Sequence, residues 1–331
     1  MCCANVSFSD RILSSSFKTY NYSNIINNKK MSTISEQAEL LYSSIFTKKN
    51  EDAIYDIITK TSLSDRISIS RYYKGAYNSS LFSDIHSKIG GDFGYCVAQM
   101  FLSPIEFCLH HLKLGLKKDY ETVFEILTSK TNEELKVIEK VYKLDTGNDL
   151  RNDITKEYKG TISKNLILMF DTLRSSNSNL RKNECERLAK LLVEKDPKTW
   201  VEDEKIFKDI FLQKSPEELV LIARFYFNIT SNNLIETVDK KLKGKGQKLL
   251  REILYNNIMP HELFAEKINS AIKGIGTNEE NLSRVLVSRC EIDMPLIREM
   301  YEYKYKTPMI DDINTDTSGI YQKLCVYLAG K

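Results

Sequence analysis

The sequence predicts an all-α fold made of four copies of one helical unit. Three observations predict it: residue columns that recur in fixed register in four segments, apolar spacing of helical rather than strand period, and few helix breakers. The segments are IITKTSLSDRISISRYY (57–73), ILTSKTNEELKVIEKVY (126–142), IFLQKSPEELVLIARFY (210–226) and VLVSRCEIDMPLIREMY (285–301). Each ends on tyrosine (Tyr73, Tyr142, Tyr226, Tyr301), with isoleucine four residues earlier (Ile69, Ile138, Ile222, Ile297). Eight residues after each tyrosine stand Leu81, Leu150, Leu234 and Met309, and twelve after stand Ile85, Ile154, Val238 and Ile313. Eighteen after is always glycine: Gly91, Gly160, Gly244, Gly319. Self-similarity at periods of 69, 84 and 75 residues marks a repeat architecture. Isoleucine and tyrosine four apart share one face of a helix, so these columns read as packing. One unit of short amphipathic helices cannot bury its apolar face alone, so four must share a core.

With 331 residues, six prolines and thirteen glycines, the chain suits helices and is long enough for about two domains or one repeat array. Forty-eight basic against 45 acidic residues leave a net charge of +3, too balanced for a dedicated nucleic-acid binder. Any electrostatic partner must meet a local patch. No apolar run approaches the roughly 18 residues of a membrane span, and no secretory apolar region opens the chain. The seven cysteines form no CxxC pair. Cys96, Cys108, Cys290 and Cys325 fall in apolar helical patterns, which reads as buried free thiols in a reducing cytosol. Cys2 and Cys3 read as an unmodified tail or as a palmitoylation site. Residues 1–35, rich in serine and asparagine, read as a flexible tail, with Met31 an alternative start. The stretch RSSNSNLRKNE (174–184) reads as a surface linker before the third unit.

The stretch AIKGIGTNEE (271–280) carries the chemistry. Gly274 and Gly276 let the backbone turn successive carbonyl oxygens to one side. Thr277 and Glu280 have capping-box spacing, which predicts a helix starting just after the loop. Asp316, in TDTSG, lies forty residues past Gly276, and a unit folding back on itself brings its carboxylate toward the carbonyls. Carbonyls, one bidentate carboxylate and water suit a hard cation of flexible geometry, Ca²⁺ before Mg²⁺. Lipid phosphate oxygens can replace the waters, and the metal then bridges protein and membrane.

Four units of about 70 residues, the KGIGT loop, and SRCEID…IR…Y followed by DTSG resemble the annexins. The resemblance spans residues 36 to 331, close in the fourth unit and weaker in the others. It implies four repeats of five helices in a slightly curved disc, with a convex face that binds acidic phospholipid through Ca²⁺. The implied boundaries are a tail at 1–35 and repeats at 36–103, 104–173, 174–258 (linker included) and 259–331. It places the main ion on the carbonyls of Ile272, Gly274 and Gly276 and the side chain of Asp316, with Thr277 and Glu279 holding a weaker adjacent ion. Glu125, Lys130, Arg284 and Arg289 match charged positions that line a central hydrophilic channel in the family, and read foremost as holding repeats together.

The other repeats depart from the pattern. At the second-glycine position stand Lys48, Lys117 and Val201, and at the carboxylate position Lys88, Glu157 and Lys241. The first loop is also one residue shorter. The second keeps Gly115 and Glu157, so Lys113, Gly115, Lys117 and Glu157 form a weak candidate site. Trp200 stands where some annexins place a tryptophan that meets the bilayer, and reads as that or as a half-buried loop anchor. Lys48, Lys49, Lys88, Lys117, Lys118, Lys156, Lys159, Lys240, Lys241, Lys243 and Lys245 fall in loops of the first three repeats. A lysine in place of calcium can meet lipid phosphate directly, at about 1 kcal/mol each near an anionic surface. These lysines read either as a basic field or as ordinary solvated residues.

No P-loop, HExxH or GxSxG is present, and His86, His110, His111 and His261 lie apart in the sequence, so an enzyme is not expected. The function expected is calcium-dependent binding to acidic phospholipid as a peripheral cytoplasmic protein, at the inner face of the plasma membrane or on vesicles. Self-association on the membrane is compatible with it. The alternative is a structural, cytoskeleton-associated protein like the divergent giardins, binding largely without calcium.

Overall fold

The computed structural model describes residues 33–175, 181–274 and 276–331. The expectations for the tail, for Met31 and for Cys2 and Cys3 fall outside these residues. Every regular element among the described residues is helical. In chain order the first set is α1 (Ile34–Ser43, continued by a π-helical turn, Ser44–Lys48), α2 (Glu51–Lys60), α3 (Leu63–Tyr77), α4 (Leu81–Lys88) and α5 (Gly91–Met100). The second is α6 (Pro104–Lys118), α7 (Tyr120–Thr128), α8 (Asn132–Thr146), α9 (Leu150–Glu157) and α10 (Gly160–Asp171). The third is α11 (Lys182–Glu194), α12 (Thr199–Glu202), α13 (Glu204–Ile206, continued by a π-helical turn, Phe207–Leu212), α14 (Pro216–Thr230), α15 (Leu234–Lys241) and α16 (Gly244–Ile258). The fourth is α17 (Pro260–Ile272), α18 (Glu279–Arg289), α19 (Met294–Tyr305), α20 (Met309–Asp316) and α21 (Gly319–Gly330). Helices α1 and α11 begin inside the stretches the sequence assigns to tail and linker.

Each recurring column has a physical cause. The isoleucines and the +8 and +12 apolar positions are at most 1% exposed in all four repeats. The glycine column opens the last helix of each repeat at φ +59, +63, +67 and +64°, in open space. It is there for its left-handed backbone, which costs an L-residue free energy and costs glycine none. Ser62, Thr131 and Ser215 start α3, α8 and α14 with reciprocal capping boxes to Asp65, Glu134 and Glu218. The tyrosines do more than pack. Tyr73, Tyr142 and Tyr301 donate to Asp84, Asp153 and Asp312 at 2.9, 2.9 and 2.7 Å, tying the third helix of the repeat to the fourth. An aspartate eleven residues after the tyrosine was there to be read in three of four rows; the third repeat has Thr237 instead.

The apolar residues form two cores. One runs from Cys108 to Leu263 and joins the second and third repeats; the other joins residues 38–101 to residues 264–329, the first repeat to the fourth. Cys96, Cys108, Cys185, Cys290 and Cys325 are buried and free. No helix among the described residues is long and apolar enough to cross a membrane.

Candidate functional site

The fourth-repeat loop leaves α17 at Ile272 and enters α18 at Glu279. Gly274 and Gly276 hold φ +131 and +84° with nothing near where a Cβ would stand. The Asn278 amide donates to the Ala271 carbonyl at 2.7 Å and closes the loop. Asn278, not Thr277, caps α18, its side chain accepting from the Asn281 amide at 3.0 Å. The Thr277 hydroxyl is thereby free for another task. Its Oγ1 lies 2.8 Å from the Asp316 carbonyl oxygen and 3.1 Å from Asp316 Oδ2, across 39 residues of sequence. The fold-back predicted from the sequence therefore occurs. Asp316 is exposed and has no cationic partner among the described residues, while nearby Lys273 is drawn to Asp312 at 3.3 Å. The carbonyl of Glu279 is engaged by the Tyr321 hydroxyl at 3.1 Å.

No three His, Cys, Asp or Glu side chains among the described residues are placed to hold a metal ion together. The fourth-repeat loop offers a different donor set: backbone oxygens at two left-handed glycines and one unpaired carboxylate. All-oxygen donors with a single charge fit a hard ion that keeps water or phosphate in its shell.

The second-repeat candidate is overturned. Helix α6 runs through Gly115 to Lys118, and the Gly115 carbonyl accepts from the Asp119 amide at 2.9 Å, so no open loop presents it. Gly115 is retained for packing: a Cβ there would meet Val123 Cγ2 at 2.9 Å. Lys113 pairs with Asp145 at 2.7 Å, and Glu157 is exposed at the end of α9. In the first repeat the π-helical turn Ser44–Lys48 replaces the loop, and in the third the short α12 does, with Val201 buried.

A family model, Annexin, matches residues 36–99, 108–169 and 263–328, more than half of the chain. The chain belongs to the annexin family. It is 30% identical to Annexin A6 of Gallus gallus over 282 residues, covering 84% of this chain and 42% of that longer protein. Among solved structures it is similar to Annexin III, with TM-score 0.83 at 27% identity over 92% of this chain and 96% of that one. The fold also matches calcium-bound alpha-14 giardin, at TM-score 0.75 and 14% identity over 90% and 99% of the two chains, a likeness of fold alone. The family matches pass over the third repeat of this annexin.

That repeat is also where one of the two readings of Trp200 fails, the bilayer-facing one, while the loop anchor holds and lies deeper than half-buried. Trp200 is 0% exposed and packs edge-on against Tyr226 at 5.8 Å, its indole N–H without a hydrogen bond among the described residues. It cannot meet a bilayer from there. Tyr226, lacking the aspartate its counterparts bind, takes a large apolar neighbour instead.

Of the four charged positions matched to the central channel, this annexin joins two. Glu125 on α7 pairs with Arg284 on α18, and Lys267 on α17 bridges Glu125 at 3.0 Å and Glu252 at 2.8 Å. Burial pushes the Glu125 carboxyl up, but the Arg284 and Lys267 charges overcome it and hold it well below the usual carboxylate range. Burial wins at Glu252, whose carboxyl is pushed up although Lys267 pulls it down. Lys130 lies 3.9 Å from Glu134, and Arg289 pairs with Asp293, both outside this network. The repeat pattern gave no sign of Lys267 or Glu252, because a salt-bridge partner across two cores has no register in the sequence.

Three of the four histidines, apart in sequence, meet beside that network. Tyr95 Oη lies 3.2 Å from His110 Nε2, His86 contacts the Tyr95 ring, and His111 bonds Gln99 at 2.8 Å. Burial, with Lys113 and His86 adding to it, pushes His110 down to about 4. His111 is pushed well below its ordinary value by burial, Arg284 and His110.

Proposed function

We propose that this annexin binds acidic phospholipid surfaces through a calcium ion held in the fourth-repeat loop, with lysines of the other loops as a supplementary basic face. Annexin membership and fold support calcium-dependent phospholipid binding in general. The finer reading rests on one observation, the Thr277–Asp316 contacts that bring an unpaired carboxylate to the loop in which Gly274 and Gly276 stand at positive φ. The carbonyls of Ile272, Gly274 and Gly276 and the Asp316 carboxylate hold the ion, and Thr277 orients Asp316. When bound, calcium supplies the positive charge that grips a lipid phosphate. Lys48, Lys49, Lys88, Lys117, Lys118, Lys241 and Lys243 are exposed and without ion pairs among the described residues, which suits a face that binds anions without calcium. The protein acts peripherally, at the cytoplasmic face of a membrane.

Calorimetric calcium titration in the presence of anionic vesicles tests the reading. One dominant site is expected, and Asp316→Ala weakens it by about tenfold or more, a loss of about 1.4 kcal/mol or above. Glu157→Ala leaves it unchanged, since α6 runs on to Lys118 and leaves no open glycine loop at that repeat's candidate site. Equal silence of both variants sinks the proposed ligand set. Loss of three calcium loops favours a second reading, a cytoskeletal scaffold, and co-sedimentation with microtubules but not vesicles would select it.

A further inference from the structure

Two equivalent loops have been treated in opposite ways. In the half formed by the second and third repeats, α16 sends two lysines onto the second-repeat loop. Lys245, one residue past Gly244, covers the Tyr120 and Tyr158 rings at 5.2 and 5.0 Å, and Lys248, three further on, pairs with Glu121 at 3.2 Å. The loop is closed by cations from its own chain. In the other half the counterparts are Ile320 and Lys323 on α21, one and four residues past Gly319, facing the first-repeat loop. Ile320 carries no charge, and Lys323 makes no ion pair with Asp52, the counterpart of Glu121. What remains is a cleft of about 460 Å³ lined by Lys48, Lys49, Asn50, Glu51, Asp52, Ile320 and Lys323. None of its three ammonium groups has an ion-pair partner among the described residues. Beside it on the π-helical turn stands Phe46, 43% exposed, its ring 4.9 Å from that of Tyr42 and 5.9 Å from Lys88 Nζ.

We propose that this cleft receives a lipid phosphate directly, without calcium, and that Phe46 enters the interface next to it. The inference rests on the membrane-binding reading above and adds to it a second, metal-free headgroup site built from both ends of the chain. Lys48, Lys49 and Lys323 donate to the phosphate oxygens, as ammonium groups do to an anionic surface. Glu51 and Asp52, on the first turn of α2, complement that helix's dipole and hold the cleft to a net charge of one positive. That matches one phosphodiester monoanion and disfavours polyanions such as nucleic acid. An exposed aromatic ring with a basic rim belongs at the boundary of water and acyl chain, which selects a lipid over a free phosphate.

The test is sedimentation of the full chain with phosphatidylglycerol–phosphatidylcholine vesicles at low salt, in chelator and in calcium. In chelator, the Lys48→Gln/Lys323→Gln pair is expected to lose about 25-fold in affinity, from about fivefold per lysine. Phe46→Ser is expected to lose several-fold. In calcium, Asp316→Ala loses the gain that calcium brings, and the lysine pair keeps most of that gain. If the wild type ignores vesicles in chelator but binds in calcium, this inference is overturned and the calcium reading stands. If Asp316→Ala is silent in calcium while the lysine pair fails in chelator, the calcium reading falls and the cleft survives. Chelator binding unaltered in the lysine pair or in Phe46→Ser, or abolished by millimolar inorganic phosphate at constant ionic strength, also overturns it.

Discussion

The second-repeat and fourth-repeat loops descend from one pattern, and each keeps a glycine at the same place, Gly115 and Gly274. In the fourth repeat the glycine stands in open space at φ +131°; in the second it sits in α6 at helical φ, pressed against Val123. The same residue type serves backbone freedom in one copy and close packing in the other. The difference teaches that a retained glycine is no sign of a retained site. What distinguishes them is whether the carbonyls are free, and in α6 the helix has already used them.

The two regions are tied by Glu125 and Arg284, and cutting that tie gives the largest expected effect. Arg284→Ala leaves a buried carboxylate with Lys267 as its one remaining partner and should lower stability by about 3 to 5 kcal/mol in denaturant unfolding. A loss under about 1 kcal/mol would mean that the two cores hold together without the charged seam. Next comes the glycine contrast itself. Gly115→Ala drives a Cβ into a buried, β-branched neighbour and should cost about 1 to 3 kcal/mol with calcium affinity unaltered. Gly276→Ala strains an open loop and should show the reverse balance, weaker calcium binding with a smaller loss of stability. A Gly115→Ala protein with weakened calcium binding and wild-type melting would erase the distinction drawn between the two loops.

The smallest effect is a pH dependence at the junction of the first two repeats. His110 is pushed down to about 4 in the fold and takes protons near its ordinary value once unfolded. The folded state is therefore disfavoured as pH falls from about 6.5 toward 4, and this contribution levels off below that. Melting temperature should drop over that range, and less so in His110→Phe. The paired carboxylates act lower: Glu125, Glu266 and Glu291 are held below their ordinary values, so their contribution is lost only as pH falls under about 4.5. An identical slope between pH 6.5 and 5 in wild type and His110→Phe would remove His110 from the account.

Much of this annexin was legible in one dimension. Periodicity set the helices, and the glycine column fixed where the last helix of each repeat begins, because left-handed backbone is a local property that glycine alone meets without strain. The fourth-repeat loop was legible for the same reason, as was the approach of Asp316, since a repeat folds on itself at short range. Trp200 was not legible. Its depth is set by contact with the Tyr226 ring on α14, which the spacing of the chain does not announce. Neither was Gly115, whose role is set by Val123 across a helix corner.

The sequence by itself determined the four units, their helices and the fourth-repeat loop whose glycines free its backbone, because these depend on residues near one another along the chain. Only the tertiary structure decided that the first repeat shares its core with the fourth, that Glu125 meets Arg284 and Lys267, that three histidines gather, and that Lys323 faces Lys48. Those pairings close loops of up to about 275 residues, and the free energy that selects them is buried apolar area and desolvated charge, neither of which has a spacing to read.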